Sequence, residues 1–403
     1  MSVLTNKHII LGVTGSIAAY KAADLASKLT QAGAQVDVIL SGAAEKFVTP
    51  LTFQSVTGRR AYTDADLWGN EAHVLHVGLG HSTDLLMIAP CTANTIAKLA
   101  HGQADTLLTV TALAAQCPLI VAPAMDGGMY DHPATQENLD TLRKRGATVI
   151  EPAEGHLASG LVGVGRLPET NELIGRVRLV LGQNGLLAAK KVVVTAGGTQ
   201  EPLDPVRVLT NRSSGKQGYA IAQAALDAGA EVILITAPTS LPPPVGAQVV
   251  NVETAQQMLD AVLQESAGAD VLIMAAAVAD FRPKNSAKDK IKKEGGAPQI
   301  DLEATDDILK AVSSHNGGKT RPKVVVGFAA ESRNLLENAA NKLESKKLDV
   351  IAANDISAGD AGFAVETNRI TLLFADGREE SLALMSKTDA AEILIERVAG
   401  LLG

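Results

Sequence analysis

Residues 7–13, mostly apolar, read as a buried strand that leads into the turn Gly15-Ser16, residues 17–31 space their apolar positions as a helix does, and residues 35–40 read as a second strand. Strand, amphipathic helix and strand in that order predict a βαβ unit. Further apolar runs at 85–89 and 119–122 alternate with helical stretches at 93–100 and 135–145. Short, continuously apolar strands separated by helices are what a parallel sheet covered on both faces requires, so a doubly wound α/β domain is expected.

The pattern lapses into turn residues at Gly182-Gln183-Asn184-Gly185 and resumes with the apolar run 191–195. A chain of 403 residues is long for one core, so two domains are expected, 1–188 and 189–403. The second repeats the α/β logic in Rossmann-like form. It has a helix over 217–228 and strands over 231–236, 271–275, 323–328, 350–353 and 370–374. "DAGAEVILIT" echoes "QAGAQVDVIL", although a helix ending at glycine before a buried strand is general αβ chemistry. Pro242-Pro243-Pro244 marks a stiff surface loop.

Composition narrows the setting. Apolar residues make up 46% and charged residues 20%, a globular balance, and no apolar run reaches membrane-spanning length. The first strand starts too early to leave room for a signal peptide, so a soluble, cytoplasmic protein is expected. Cys91 and Cys117 are too few for a disulfide framework or a thiolate metal site. The net charge of -8 argues against general nucleic-acid affinity, so any phosphate ligand must be held locally.

Gly12, Gly15 and Ser16 lie between a strand and a helix, where free N–H groups and the helix dipole favour a phosphate. The GxGxxG spacing of a dinucleotide fingerprint is absent, and a bare glycine turn is also simple geometry. Ser41, Thr92, Asn94 and the segment "APAMDGGMYDHPAT" follow later strands, at the carboxyl edge where open α/β sheets bind ligands. Through these segments residues near 5–180 resemble the homo-oligomeric flavin-containing cysteine decarboxylases, a flavodoxin-like family that includes phosphopantothenoylcysteine decarboxylase. The resemblance implies FMN held by Gly15, Ser16, Ile17, Ser41, Thr92, Asn94, Ala124 and Met125 at a trimer contact. Of His73, His76 and His81, it selects His76, eight residues before Asp84, as the catalytic histidine. An imidazole can take or return a proton at neutral pH. The implied chemistry is loss of CO2 from a cysteinyl group whose thiol the flavin has oxidised. Asp126, Gly160 and Arg166 would hold the substrate. Two positions depart from the family pattern: Asp126 stands where asparagine is usual, and Ser159 stands in the flap where a catalytic cysteine is usual. An aspartate repels a substrate carboxylate unless it is protonated or turned aside, and serine is a weaker acid than a thiol. Gly155, Gly160, Gly163, Gly165 and Arg166 keep the flap pattern, and an active enzyme is expected.

In the second half, "TAGGTQEPLDPVRVLTNRSSGKQGYAIAQAAL" joins a glycine-rich strand end, an Asp-Pro turn and the cluster Asn211 to Lys216 opening a helix. Amide, hydroxyl and cationic donors gathered this way suit phosphates, although GxxxxGK[ST] is absent. With "AAAVADFRP", "KDKIKK", "VVVGFAAES" and "NKLESKKLDVIAANDIS" in the same order, residues 190–390 resemble phosphopantothenate–cysteine ligase. The resemblance implies that Asn211 contacts the acyl intermediate and that Ala276 and Asp280 sit on the nucleotide. Lys290 would assist formation of the intermediate or its attack by cysteine. Ser213, Ser214, Gly215, Asp306, Asp307, Ile308, Phe328, Lys342 and Lys346 would complete the CTP pocket. Lys342 and Lys346, four apart, would share a helix face. The implied reaction activates 4'-phosphopantothenate as an acyl cytidylate that cysteine attacks, with Mg2+ on the CTP phosphates and no protein ligand to it assigned. Both resemblances together imply a bifunctional enzyme of coenzyme A biosynthesis, assembled as a dodecamer from decarboxylase trimers and ligase dimers. Two other readings stay open. One is an active ligase whose first domain is impaired in decarboxylation and serves as a scaffold or binding module. The other is an NAD-dependent oxidoreductase, which fits the fold but lacks the fingerprint.

Overall fold

The computed structural model describes residues 2–68, 74–292, 299–314, 321–331, 334–355 and 367–403. His73 and the motif residues Lys293, Ser332, Ile356 and Ser357 lie outside them. The chain forms two compact units, Ser2–Leu181 and Gly182–Gly403.

The first unit contains strands β1 (His8–Val13), β2 (Gln35–Leu40), β3 (Ala61–Tyr62), β4 (Leu85–Cys91), β5 (Leu119–Pro123) and β6 (Thr148–Val149) in one sheet, ordered β3-β2-β1-β4-β5-β6. Its pairings are parallel. Without the two-residue edge strand β3 this is the flavodoxin-like order. Alternate residues face opposite sides: Ile9, Leu11, Leu85 and Met87 enter one core, Ile10, Leu86 and Ile88 the other. Helices α1 (Ala19–Gln31) and α2 (Pro50–Thr57) cover the first side with Leu25 and Phe53. Helices α3 (Leu75–Ser82), α4 (Ala93–His101) and α5 (Leu107–Ala114) cover the second through Leu79, Ile96 and Leu107. A four-residue α6 (Gly127–Tyr130) and α7 (Pro133–Lys144) follow β5. The periodicity did not predict the antiparallel hairpin of β7 (Ala153–His156) and β8 (Val162–Arg166), because glycines interrupt its alternation. Helix α8 (Thr170–Gly182) returns Leu173 and Val177 to the first core.

The second unit is built on an eight-stranded sheet that begins in sequence with β9 (Lys191–Ala196). The short pair β10 (Gln200–Pro202) and β11 (Val208–Thr210) precedes α9 (Lys216–Asp227). β12 (Glu231–Thr236), β13 (Gln248–Asn251), α10 (Ala255–Glu265) and β14 (Val271–Met274) follow. The hairpin β15 (Phe281–Pro283) and β16 (Leu302–Ala304) leads to α11 (Ile308–Ser314). Next come β17 (Val324–Glu331), α12 (Leu335–Ser345) and β18 (Val350–Asp355). The chain ends with β19 (Thr367–Asn368), β20 (Ile370–Phe374), β21 (Glu379–Ser381), β22 (Met385–Ser386) and α13 (Lys387–Leu402). The main sheet runs β13-β12-β9-β14-β17-β18-β20-β21. Its first six strands are parallel in Rossmann order, and β20 and β21 extend it antiparallel. Gly218 lets α9 sit on β9, since a Cβ there would lie 2.6 Å from that of Ala196.

At the amino end of the first sheet, buried Asp37 accepts bonds from Arg59 Nε and Nη2 at 2.8 and 2.9 Å. His8 Nε2 lies 2.6 Å from Asp37 Oδ2 and Nδ1 lies 2.9 Å from the Ser82 carbonyl. Both partners are acceptors, so both ring nitrogens carry hydrogen. The bond to Asp37 raises the His8 pKa above 6.5. Burial pushes the Asp37 carboxyl up, but its bonds from His8 and Arg59 outweigh that and hold it below 3.8. The His8 contribution to stability is full below pH 6.5 and lost as pH rises through its folded pKa. The Asp37 contribution is full above pH 3.8 and lost as pH falls through its folded pKa. Asp37→Asn therefore costs most between these two values, about 2 kcal/mol by the usual worth of charged hydrogen bonds. The cost shrinks at mildly alkaline pH. Denaturant titrations of the first unit at both pH values check this, and a pH-independent difference would refute it.

Candidate functional sites

Each sheet opens a cleft at its carboxyl edge, where the strand order reverses. In the first unit, Thr14 is buried and donates through Oγ1 to the Pro90 carbonyl at 2.8 Å. The same oxygen accepts from Thr92 N at 3.0 Å, joining the turns that follow β1 and β4. Gly15 allows this turn to approach the next, because a Cβ there would lie 2.4 Å from that of Ala43. Ser41 N donates to Val13 O at 3.0 Å, so a third strand end meets the other two. Thr92 caps α4 by accepting from Thr95 N. Asn94 is exposed in the first turn of α4.

Beside these turns lies a cleft of about 450 Å³ whose lining includes Ser16, Ile17, Ala124, Met125, Asp126, Ser159 and Arg166. Gly15, Ser41, Thr92, Asn94 and Gly160 stand outside that lining, as does His76, the second residue of α3. Met125 N donates to Gly165 O at 3.0 Å and docks the β7–β8 hairpin over β5. This needs glycine, for a Cβ on Gly165 would fall 2.2 Å from the Met125 carbonyl oxygen. The docked hairpin brings together the two residues that depart from the decarboxylase pattern. Ser159 Oγ donates to Asp126 Oδ2 at 2.6 Å, and Asp126 Oδ1 accepts from Gly128 N at 3.1 Å. The Ser159 bond is the main reason the Asp126 carboxyl is held below 3.8.

Sequence reading missed Tyr20, Lys21 and His156 in this cleft. Lys21 and Arg166 both approach Glu169, at 3.0 and 3.3 Å. No motif announces Lys21, because it reaches the cleft through the packing of α1.

The second cleft, about 490 Å³, gathers side chains from motifs far apart in the chain. Thr195 and Thr199 are fully buried, and their hydroxyls accept from Ala276 N and Ala279 N at 3.1 and 2.9 Å. These bonds tie the end of β9 and the loop after it to the loop after β14. Asn211 Nδ2 donates to the Val278 carbonyl at 2.9 Å, and Thr305 Oγ1 to the Ala279 carbonyl at 2.6 Å. Gly215 takes a φ of +75° where α9 begins, a left-handed conformation that glycine adopts without strain. The lining includes Asn211, Ser213, Ser214, Gly215, Ala276, Asp280, Asp306, Asp307, Ile308, Phe328 and Lys346. Asp307 accepts from Lys310 N at 3.2 Å and pairs with Lys346 at 3.2 Å.

Two of the expected lysines lie elsewhere. Lys342 is one turn before Lys346, whose N–H bonds to the Lys342 carbonyl at 3.1 Å, yet only Lys346 lines the cleft. Exposed Lys290 sits beside Ile291, whose N–H donates to Asp204 Oδ2 at 3.1 Å and whose carbonyl accepts from Arg207 Nη1 at 3.1 Å. The cleft also has Gln217 and Asn354, which lie inside the motifs but were not singled out, and Asn368 and Lys387, which no motif contains. Among the described residues no three or more His, Cys, Asp or Glu side chains converge as a metal site, and no helix is long and apolar enough to cross a membrane.

Comparison with known proteins separates the same two units. Residues 2–181 match the family described as flavoprotein. Residues 187–402 match the C-terminal domain of DNA/pantothenate metabolism flavoproteins. The coenzyme A biosynthesis bifunctional protein CoaBC of Bacillus subtilis is 45% identical over 401 residues, covering 99% of this chain and 98% of that protein. The solved C-terminal domain of a CoaBC protein is 40% identical, covers 54% of this chain and 98% of its own, and has a TM-score of 0.46. The FMN-dependent cysteine decarboxylase SpaF is 34% identical over 44% of this chain and 97% of its own, with a TM-score of 0.39. Likeness that runs through both units to a bifunctional relative leaves one assignment: the chain belongs to the CoaBC family of bifunctional coenzyme A biosynthesis proteins.

Proposed function

We propose that the second unit joins cysteine to 4'-phosphopantothenate through an acyl cytidylate made from CTP, and that the first unit decarboxylates the product to 4'-phosphopantetheine with FMN. The observation that carries the ligase reading is the meeting of four separated motifs in one cleft: Asn211 to Gly215, Ala276 to Asp280, Thr305 to Leu309, and Lys346. A carboxylate is a poor acyl donor until its oxygen becomes a good leaving group, which transfer of CMP provides. Lys216 and Lys346 line the cleft and offset the triphosphate charge, and the start of α9 adds N–H donors. Mg2+ would enter with the CTP phosphates, and no protein ligand to it is assigned. Asn211 is anchored on Val278 and positions the acyl group that the cysteine amine attacks. Lys290 and Lys342 reach the nucleotide in this reading only if their segments move.

The first cleft suits FMN. Gly15 lets the turn after β1 pack closely on Ala43, and Ser16, Ser41 and Thr92 offer hydroxyls at three neighbouring strand ends. When bound, the flavin supplies the two-electron oxidation of the cysteinyl thiol. Lys21 and Arg166 attract an anionic substrate into the cleft. Asp126 is turned towards Ser159 and held ionised, so the serine proton is committed to Asp126 and His76 is left to move protons. His76 does not line the cleft of its own chain, and a site completed by a second copy accounts for this. Exposed Ile17, Tyr20, Phe47 and Leu51 give such a copy an apolar surface. A trimer of first units, joined by ligase dimers, is the assembly this reading takes. Full-length kinship to bifunctional proteins supports two activities over a scaffold role, and the flavoprotein match replaces the NAD reading.

Supplying phosphopantothenate, cysteine, Mg2+ and either CTP or ATP, with pyrophosphate and CO2 followed separately, tests both halves. Both products should form with CTP; pyrophosphate without CO2 would confine activity to the ligase. His76→Asn should lower CO2 release by about 10² or more while pyrophosphate release persists. Lys346→Gln should raise KM for CTP about tenfold, the equivalent of roughly 1.4 kcal/mol, and leave CO2 release from added phosphopantothenoylcysteine intact.

A further inference from the structure

Among the described residues, two buried acceptors that line the ligase cleft have no donor. Asn354, 8% exposed, is the penultimate residue of β18, and Asn368, 3% exposed, lies in β19; the Oδ1 atom of each is buried without a hydrogen-bond partner among the described residues. Both line the cleft. Their closeness follows from register: Asn354 pairs with Ile370, two residues after Asn368.

A chain of bonds fixes which way the Asn368 amide faces. Gln217 Nε2 donates to the Lys387 carbonyl at 3.4 Å, an atom that can only accept, so Gln217 Oε1 faces the other way. That oxygen accepts from Asn368 Nδ2 at 3.0 Å, which leaves Asn368 Oδ1 as the atom offered to the cleft. Buried polar atoms are almost always paired in the working molecule, so these two acceptors call for donors that arrive with a ligand.

We propose that Asn354 and Asn368 form a receptor for a neutral –NH2 group of a ligase substrate. Two neighbouring acceptors match the two hydrogens of such a group. The acceptors are neutral amides and Lys387 lines the same end of the cleft, which disfavours an ammonium. Within the ligase reading, on which this inference rests, two substrates carry an –NH2 group: cysteine through its amine and CTP through the exocyclic amine of cytosine. Held by both hydrogens, a cysteine amine keeps its lone pair free for attack. Held the same way, the cytosine amine is told apart from a uracil carbonyl, which would face the acceptors oxygen to oxygen.

The test uses the full chain with Asn354→Leu and Asn368→Leu, which keep side-chain bulk and remove the acceptors. Pyrophosphate release by the unaltered protein tests the ligase reading itself. With that in hand, at least a tenfold rise in KM for cysteine, with KM for CTP within twofold, assigns the receptor to the amino acid. A tenfold rise in KM for CTP, with a tenfold narrower preference for CTP over UTP, assigns it to the base. Both constants within twofold of the unaltered protein, or a rise for phosphopantothenate alone, overturns the proposal. A probe that needs no variant guards against misfolding: N-methylcysteine and N4-methyl-CTP each lack one N–H. One of them should bind the unaltered protein at least tenfold more weakly than its parent compound, and equal binding of both overturns the proposal.

Discussion

The clefts of both units depend on one kind of bond, a buried threonine hydroxyl that ties together two loops on either side of the point where strand order reverses. Thr14 does this between the turns after β1 and β4, giving to Pro90 and receiving from Thr92. Thr195 and Thr199 do it between the end of β9 with the loop after it and the loop after β14. Parallel strands splay their outgoing loops to opposite faces at that point, and backbone groups there have no ladder to join. A hydroxyl that receives from such a group satisfies it without covering the space between the loops. Each cleft is thus a by-product of topology that a side chain holds at fixed width.

Much of this was legible in the sequence. Apolar runs marked the central strands, since a strand buried on both faces admits few polar residues. The ligase lining was legible because its motifs sit in the loops at the carboxyl edge, where neighbouring residues in sequence remain neighbours in space. The meeting of Asn354, itself inside a motif, with Asn368 and Lys387 was not legible, because they come together through an antiparallel extension of the sheet and the first turn of α13. The β7–β8 hairpin was hidden for another reason: its glycines serve close backbone approach and leave few side chains to show a period of two.

The contact between Ser159 and Asp126 changes how those two positions are understood. In the sequence they were separate departures from a pattern. In the fold they are hydrogen-bond partners across a docked hairpin, so substituting one alters the charge and direction of the other. Their effects on substrate handling belong to the pair.

The threonine ties bear on how such a protein can change over generations. Each tie joins a side chain to backbone, and the backbone partner exists whatever residue occupies its position. The side chains at Ala276, which lines its cleft, and at Thr92, beside the other, can therefore be exchanged while their N–H groups continue to hold the loops in place. The scaffold is inherited separately from the specificity it displays, and a lineage can explore new ligands without first losing the shape that binds them.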